Sequence, residues 1–213
     1  MSIPDPLISI RAMLADQPLL ILLAGSNGAG KTTFFEEYLH EPGLPFVDAT
    51  RVARALHAAE PDAAAGEIDR RAFAEAETLR AAMVEAGLPF CTETVFSDPD
   101  GAKLRFLDEA RSRGFAVFMV FIGLDSPVLS VARVKHRAEH GGEDVPDEKL
   151  RARFPRTLAN LGAAIPLADE TFLFDNSSYD EPYRIVAVYE QGRLVAQFPP
   201  LPRWTEGLPS LHS

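Results

Sequence analysis

Residues 25–32 read Gly-Ser-Asn-Gly-Ala-Gly-Lys-Thr and satisfy the pattern G-x-x-x-x-G-K-[ST]. The chemistry open to such a run is the holding of a nucleoside triphosphate by its phosphates. Gly25, Gly28 and Gly30 let backbone N–H groups converge on phosphate oxygens, with Ser26, Asn27 and Ala29 completing the turn. Lys31 bridges the terminal phosphates, the Thr32 hydroxyl ligates Mg²⁺, and Thr33 completes the set of nucleotide contacts. Such a loop works only between a buried strand and the N-terminus of a helix. Both flanks are present, since 18–24 is continuously apolar and 31–40 is helix-forming.

The rest of the chain supplies a frame of the same kind. Short apolar runs alternate with helix-like segments from 18 to 175, the βαβα pattern of an α/β fold with a doubly wound, mainly parallel sheet. Strands are predicted at 45–48, 89–94, 115–124 and 171–174, and helices near 50–59, 68–86, 99–113 and 127–140. Ile68, Ala72, Ala76, Leu79 and Met83 form the predicted apolar stripe of the second of these helices. Ser126 and Pro127 are a cap and first-turn pair for the last, and Gly141 and Gly142 end it. Residues 143–155 then read as an arginine-bearing helical flap hinged at those glycines. Gln191-Gly192 between two β runs predicts a C-terminal β-hairpin, followed by an irregular proline-rich tail from Pro199. The expectation is one phosphate-loop domain over 1–213, its core at 18–178, with hairpin and tail, 179–213, as an appendage.

Composition narrows the partners. The chain has 213 residues, 21 Lys and Arg against 31 Asp and Glu, and a net charge of −10, which argues against a nucleic-acid-binding face. A single cysteine, Cys91, excludes an intrachain disulfide and a multi-cysteine zinc site, and fits a reducing compartment. The N-terminus carries no basic segment ahead of an apolar core, and no window reaches about 18 consecutive apolar residues. A soluble, unprocessed, cytoplasmic protein with a small-molecule substrate and no membrane partner is expected.

The loop wording resembles that of ABC-type ATPases, but the chain has no LSGGQ-like signature, no strand ending in Asp-Glu and no guanine-reading Asn/Thr-Lys-x-Asp. The ordered blocks GSNGAGKTTF, FVDATRVAR, PFCTETVFS, RVKHR followed by HGGEDVP, RARFPRTLANL and LFDNSS resemble the zeta toxin family in its short bacterial form. That resemblance implies a kinase using ATP and Mg²⁺ to phosphorylate the 3′-hydroxyl of UDP-N-acetylglucosamine. It also implies the toxin of a toxin–antitoxin pair, restrained by a small antitoxin.

Carried over by position, the resemblance implies the same nucleotide and Mg²⁺ roles for Lys31 and Thr32. It makes Glu93, at the C-terminal end of a predicted strand, a substrate- or metal-site carboxylate. Arg133 and Arg137, one helical turn apart, are candidates to clamp the transferring phosphoryl group. For Arg137, Arg151, Arg153 and Arg156 a solvated helix face is an equal reading. The family's Asn-x-Asp, whose Asp takes the proton of the attacked hydroxyl, is replaced by Asp48-Ala49-Thr50, with threonine at the base position. A hydroxyl cannot serve as a base near neutral pH. Either Asp48 has taken the role, or transfer is impaired or directed to another acceptor. A smaller departure is Gly141-Gly142-Glu143 in place of Gly-Gly-His.

Other groups read as structural. His136 and His140 have the spacing of a metal pair but lack a third ligand, Cys91 reads as a core residue, and Phe115, Phe118 and Phe121 as packing. Asp175 reads as a turn cap in preference to a metal-site carboxylate. Two further functions stay open: a kinase of another small metabolite, and an ATP-binding homologue impaired in transfer that acts through a protein partner.

Overall fold

The computed structural model describes residues 5–40, 43–142 and 144–211, so the departure at Glu143 lies outside the described residues. The first strand, β1 (Leu19–Gly25), is buried along its whole length, as a central parallel strand covered on both faces must be. It pairs in parallel with β3 (Phe90–Thr94) on one side and β4 (Ala116–Gly123) on the other. Beyond β3 lies the short β2 (Phe46–Val47), and beyond β4 lies β5 (Glu170–Asp175), both parallel. The order 2-3-1-4-5 makes β1 the point where the winding reverses, and ligands of open α/β sheets bind outside the strand ends there.

Alternation along β1 splits the core. Leu20, Leu22 and Ala24 face one layer, with Ala76 and Val84 of α4 (Ala65–Glu85), Leu107 of α5 (Ala102–Ser112) and Leu161 of α7 (Asp147–Ala164). Leu19, Ile21 and Leu23 face the other, with Ile10 of α1 (Pro6–Asp16) and Phe34 of α2 (Lys31–Phe34), which runs on as a π-helical turn (Phe35–Leu39). Phe118 belongs to this second layer, whereas Phe115 and Phe121 belong to the first. The other two helices are α3 (Ala49–Ala59) and α6 (Pro127–Glu139); Ser126 caps α6, its Oγ accepting from the Leu129 N–H at 3.2 Å.

The structure departs from the sequence reading in several places. The hairpin, β6 (Arg184–Glu190) and β7 (Arg193–Gln197), continues the sheet, because β6 pairs antiparallel with β5. Val186, Ala187 and Tyr189 are core residues, so the hairpin is no appendage. The tail is also built in: it makes a short 3₁₀ turn (Arg203–Thr205), and Trp204, Leu208 and Leu211 join the core. The predicted flap from Asp147 onward and the helix behind it are one element, α7, docked through Leu150, Phe154, Thr157 and Leu161. On α4 the inward stripe is Ile68, Ala72, Ala76, Arg80 and Val84, spaced by four, while Leu79 is exposed.

Tyr189 fastens the tail. Its ring is buried on β6 and its hydroxyl donates to the Pro209 carbonyl at 2.8 Å, while burial pushes its phenol up to about 12. An unfolded tyrosine ionises near 10, so between the two values the unfolded state releases a proton that the folded state keeps. The contribution is complete below pH 10 and is lost as the pH climbs towards 12, on the order of 2 kcal/mol at most. The melting temperature is expected to fall over that window, and Tyr189→Phe to flatten the fall. Parallel alkaline melting curves for the two proteins would count against this.

Candidate active site

The phosphate loop is shaped by what holds its carbonyls. The Ser26 carbonyl accepts from Lys31 Nζ at 3.1 Å, that of Asn27 from Ser130 Oγ at 2.7 Å, that of Ala29 from Asn176 Nδ2 at 2.8 Å, and that of Gly30 from the Tyr183 hydroxyl at 2.9 Å. The carbonyls of Asn27, Ala29 and Gly30 are thus tied to neighbouring elements and do not compete with an anion seated in the loop. Gly30 is required by the same arrangement. Its φ is +93°, and a Cβ there would lie 2.7 Å from both Asn176 Nδ2 and the Tyr183 oxygen. The Ser26 hydroxyl is buried with no hydrogen-bond partner among the described residues, as is Arg133 Nε. Unsatisfied donors at this place fit a phosphate ligand.

Glu93, at the C-terminal end of β3, closes the loop on its other flank. Its Oε2 accepts from Thr32 Oγ1 at 2.8 Å and its Oε1 lies 3.5 Å from Lys31 Nζ. Lys31 is 5% exposed, so this ion pair is shielded from water. A carboxylate beside a threonine hydroxyl is a hard-oxygen pair of the kind Mg²⁺ takes. The residues present therefore fit the ion.

From Glu93 a cleft of about 600 Å³ opens towards β2, α4 and the loop after β3, and joins a second lobe of about 450 Å³ through Thr50, Phe73, Glu93, Val95, Lys149 and Arg153. Asp48 lies at its wall, buried, and caps α3 by accepting from the Thr50 N–H at 3.0 Å. Thr50 lines both lobes.

On the same wall stands Arg80, which the sequence reading overlooked. Its Nε donates to Thr92 Oγ1 at 2.6 Å, its Nη2 to the Glu93 carbonyl at 3.2 Å, and its Nη1 pairs with Glu77, which also pairs with Lys103. Thr92 in turn donates to the Val47 carbonyl at 2.8 Å. This chain fixes the ends of β2 and β3, and with them Asp48 and Glu93, relative to each other. Burial pulls the Arg80 guanidinium below its ordinary value, against the charges of Glu77 and Asp48, and burial also lowers the Lys103 ammonium. The signal was a charged residue at the i+4 position of an apolar stripe: Ala72, Ala76, Arg80.

The arginines divide. Arg137 and Arg153 line the cleft, and Arg153 Nη1 reaches Asn27 Oδ1 at 3.4 Å. Arg133 turns elsewhere, its guanidinium 5.0 Å from the centre of the Tyr179 ring. Arg156 Nε donates to the Ser97 carbonyl at 3.0 Å on the cleft rim, and Arg151 is exposed. Thr33 is exposed at the start of α2, and the Tyr183 phenol that holds the Gly30 carbonyl is raised above its usual range by burial.

Asp175 ends β5 facing the tail, its Oδ1 accepting from Ser177 Oγ at 2.7 Å and from Trp204 Nε1 at 2.9 Å. It acts as a turn and tail anchor. Cys91 is wholly buried and its thiol is pushed well above the ordinary range, chiefly by burial, which makes it an unreactive core residue. The rings of His136 and His140 lie tilted with centres 4.5 Å apart, and no cluster of three metal-ligating side chains exists among the described residues. No helix among them is long and apolar enough to cross a membrane.

A 2-3-1-4-5 parallel core with a phosphate loop after β1 and a cleft on the β2–β3 flank is the P-loop kinase fold. The chain belongs to the zeta toxin family, whose model matches residues 10–191. It is 22% identical over 134 residues to an uncharacterized protein of Haemophilus influenzae, covering 63% of this chain and 91% of that one. Among solved structures it is similar to the AvrRxo1-ORF1:-ORF2 complex with ATP, with a TM-score of 0.67 and 18% identity over 86% of this chain. The chain spans 62% of that relative's length. It is also similar to the PezAT chromosomal toxin–antitoxin system of Streptococcus pneumoniae, with a TM-score of 0.58 and 17% identity over 86% of this chain and 78% of that one. At these identities the structural likeness speaks for the fold.

Proposed function

We propose that this protein is a zeta-type kinase that transfers the terminal phosphoryl group of ATP to a hydroxyl of a UDP-activated sugar, UDP-N-acetylglucosamine at its 3′-OH. In this reading it is the toxin of a toxin–antitoxin pair, working in the cytoplasm where ATP and nucleotide sugars are made. The observation that carries the reading is the Thr32–Glu93–Lys31 cluster, placed where the phosphate loop meets a second, roomy cleft. A hydrolase needs room for water alone; this cleft has room for a nucleotide sugar. Phe73, 57% exposed on its wall, offers a ring for a base to stack on. The ATP complex of AvrRxo1 and the toxin–antitoxin assembly of PezAT support nucleotide and partner.

Roles follow from position. The backbone of residues 25–30 and Lys31 hold the β- and γ-phosphates, and Thr33 stands at the start of the helix beneath them. Thr32 and Glu93 are the residues that would hold Mg²⁺, which supplies neutralisation of charge on the terminal phosphates. Arg137 and Arg153 reach the transferring group from α6 and α7, and Arg133 serves the nucleotide from its other side. The acceptor oxygen bonds to the γ-phosphorus, the bond from that phosphorus to the β–γ bridging oxygen breaks, and ADP leaves. The hydroxyl proton passes to Asp48: capping occupies Oδ1, and a carboxylate has a second oxygen with lone pairs to spare. Because the transition state is loose, positioning outweighs base strength, so Thr50 in the family's base position is compatible with turnover.

Mass spectrometry of products from ATP, Mg²⁺ and a panel of UDP-sugars tests the reading, with Lys31→Ala as the blank. A gain of one phosphate on UDP-N-acetylglucosamine is expected. A product on another sugar would move the acceptor; ATP binding with no product would favour an ATP-binding homologue acting through a protein partner. Asp48→Ala is expected to lower turnover about 10²-fold and to cost about 1 kcal/mol of stability through the lost helix cap. Unchanged turnover would remove Asp48 from the mechanism.

A further inference from the structure

The second core layer holds a cavity for which phosphoryl transfer has no use. It lies between the N-terminus of α1, the α2 helix with its π-helical turn, and the residues just before β6, and measures about 140 Å³. None of its lining residues belongs to either lobe of the acceptor cleft. Two rare backbone features meet on it. The π-helical turn supplies Tyr38 and Leu39, and such turns occur mostly at functional sites. Tyr183, also on its wall, is a non-glycine residue held at φ +53°, a conformation that costs energy and persists where its surroundings enforce it.

Four aromatic rings line the cavity: Phe34, Tyr38, Phe174 and Tyr183. The other three stand around Phe34 with ring centres at 4.9, 5.0 and 5.2 Å, inclined to it by 37°, 50° and 69°. Rings set at such angles do not form one flat stack; they wall a cage and offer π-faces in several directions. Carboxylates complete it. Asp5 is exposed on the lining, and its Oδ1 caps α1 by accepting from the Leu7 N–H at 2.9 Å, a bond that leaves a carboxylate lone pairs for another partner. The Tyr183 phenol, raised first by burial, is raised further by the negative charge of Glu37. No lysine or arginine is among the described lining residues, and the chain carries −10 overall. A neutral apolar guest has no use for carboxylates, whereas π-faces and carboxylates together attract a positive charge that carries methyl groups. A dry cavity of about 150 Å³ admits benzene, so this one has room for a trimethylammonium head.

We propose that this cavity is a binding site for a small organic cation of the quaternary or methylated ammonium class, caged by Phe34, Tyr38, Phe174 and Tyr183 with Asp5 as its counter-charge. The Tyr183 hydroxyl also donates to the Gly30 carbonyl at 2.9 Å, so the guest sits one side chain away from the phosphate loop. The site stands apart from the kinase reading, and its test needs no nucleotide.

The test is a titration of the full chain, followed by NMR chemical shifts, with choline and with its uncharged isostere, in which carbon replaces the quaternary nitrogen. Choline is expected to bind at least about tenfold more tightly than the isostere. Tyr38→Ala, at a side chain 45% exposed, is expected to weaken choline by about threefold or more, and Tyr38→Phe, which keeps the ring, to stay within about twofold of wild type. Asp5→Asn keeps a capping side chain on α1 and is expected to weaken choline by about threefold while leaving the isostere unchanged. Melting curves of the variants that match the wild type show that the fold is intact. Equal binding of choline and isostere overturns the proposal, because the cavity then recognises shape without charge. Choline binding that Tyr38→Ala leaves untouched overturns it by placing the cation elsewhere, and so does a wild-type protein with no saturable choline binding.

Discussion

Replacing Lys31 by alanine is expected to reduce phosphoryl transfer by at least about a thousandfold, equivalent to about 4 kcal/mol of barrier. The ammonium is 5% exposed, lies 3.5 Å from Glu93 Oε1 and donates to the Ser26 carbonyl within the loop. Its charge therefore acts at short range, and water cannot substitute for it. Charge spreads over the phosphoryl oxygens as the transition state forms, so this fixed cation stabilises the transition state more than the ground state. The fold should survive, because the loop's other carbonyls keep their tethers from Ser130, Asn176 and Tyr183. Turnover and a melting curve on the same preparation check this together. A folded Lys31→Ala protein retaining more than a tenth of wild-type turnover would falsify the assignment of this loop as the catalytic centre.

Glu93→Gln is the second large effect, expected to lower turnover by about a hundredfold or more and to raise the Mg²⁺ concentration needed for half-maximal activity. The amide keeps the shape and can still accept from Thr32 Oγ1, as the carboxylate does at 2.8 Å. What disappears is the negative charge facing both Thr32 and Lys31. Affinity for ATP measured without Mg²⁺ should hold or improve, since one anion fewer faces the triphosphate. Titrating Mg²⁺ at fixed ATP separates the two terms. A variant with wild-type turnover at every Mg²⁺ concentration would show that Glu93 has no part in holding the ion.

Much of this was legible in the chain itself. Residues 25–32 carry their own geometry, because the glycines admit the backbone turn and the flanking apolar strand and helix fix its setting. The strands β1 and β4 fall where continuous apolar runs place them, since burial on both faces leaves no polar positions, and β3 and β5 fall where shorter apolar runs end in the polar residues of the site edge. Glu93 was assigned to the site by the family resemblance, and its place near a strand end agreed with it. The α1 helix went unread: its apolar residues give little contrast between faces, and Ile10 is its one buried position.

The misreadings share a cause. Leu79 was favoured over Arg80 on α4 because a sequence cannot show that a buried guanidinium has Thr92, the Glu93 carbonyl and Glu77 waiting for its donors. The tail reads as irregular because it has no periodicity; what orders it is a buried tryptophan whose Nε1 finds Asp175, 29 residues away. Arg133 and Arg137 share a helix face by spacing, yet the long side chains diverge, one to Tyr179 and the other to the cleft.

The sequence by itself determined the phosphate loop, the parallel strands and the family, because each depends on residue types a few positions apart. Only the tertiary structure decided which side chains meet across the loop. Thr32 and Glu93 are 61 residues apart, Asn27 and Ser130 are 103, and Gly30 and Tyr183 are 153. Those meetings are set by strand order and register, which bring distant strand ends to one edge of the sheet, and no local pattern encodes them.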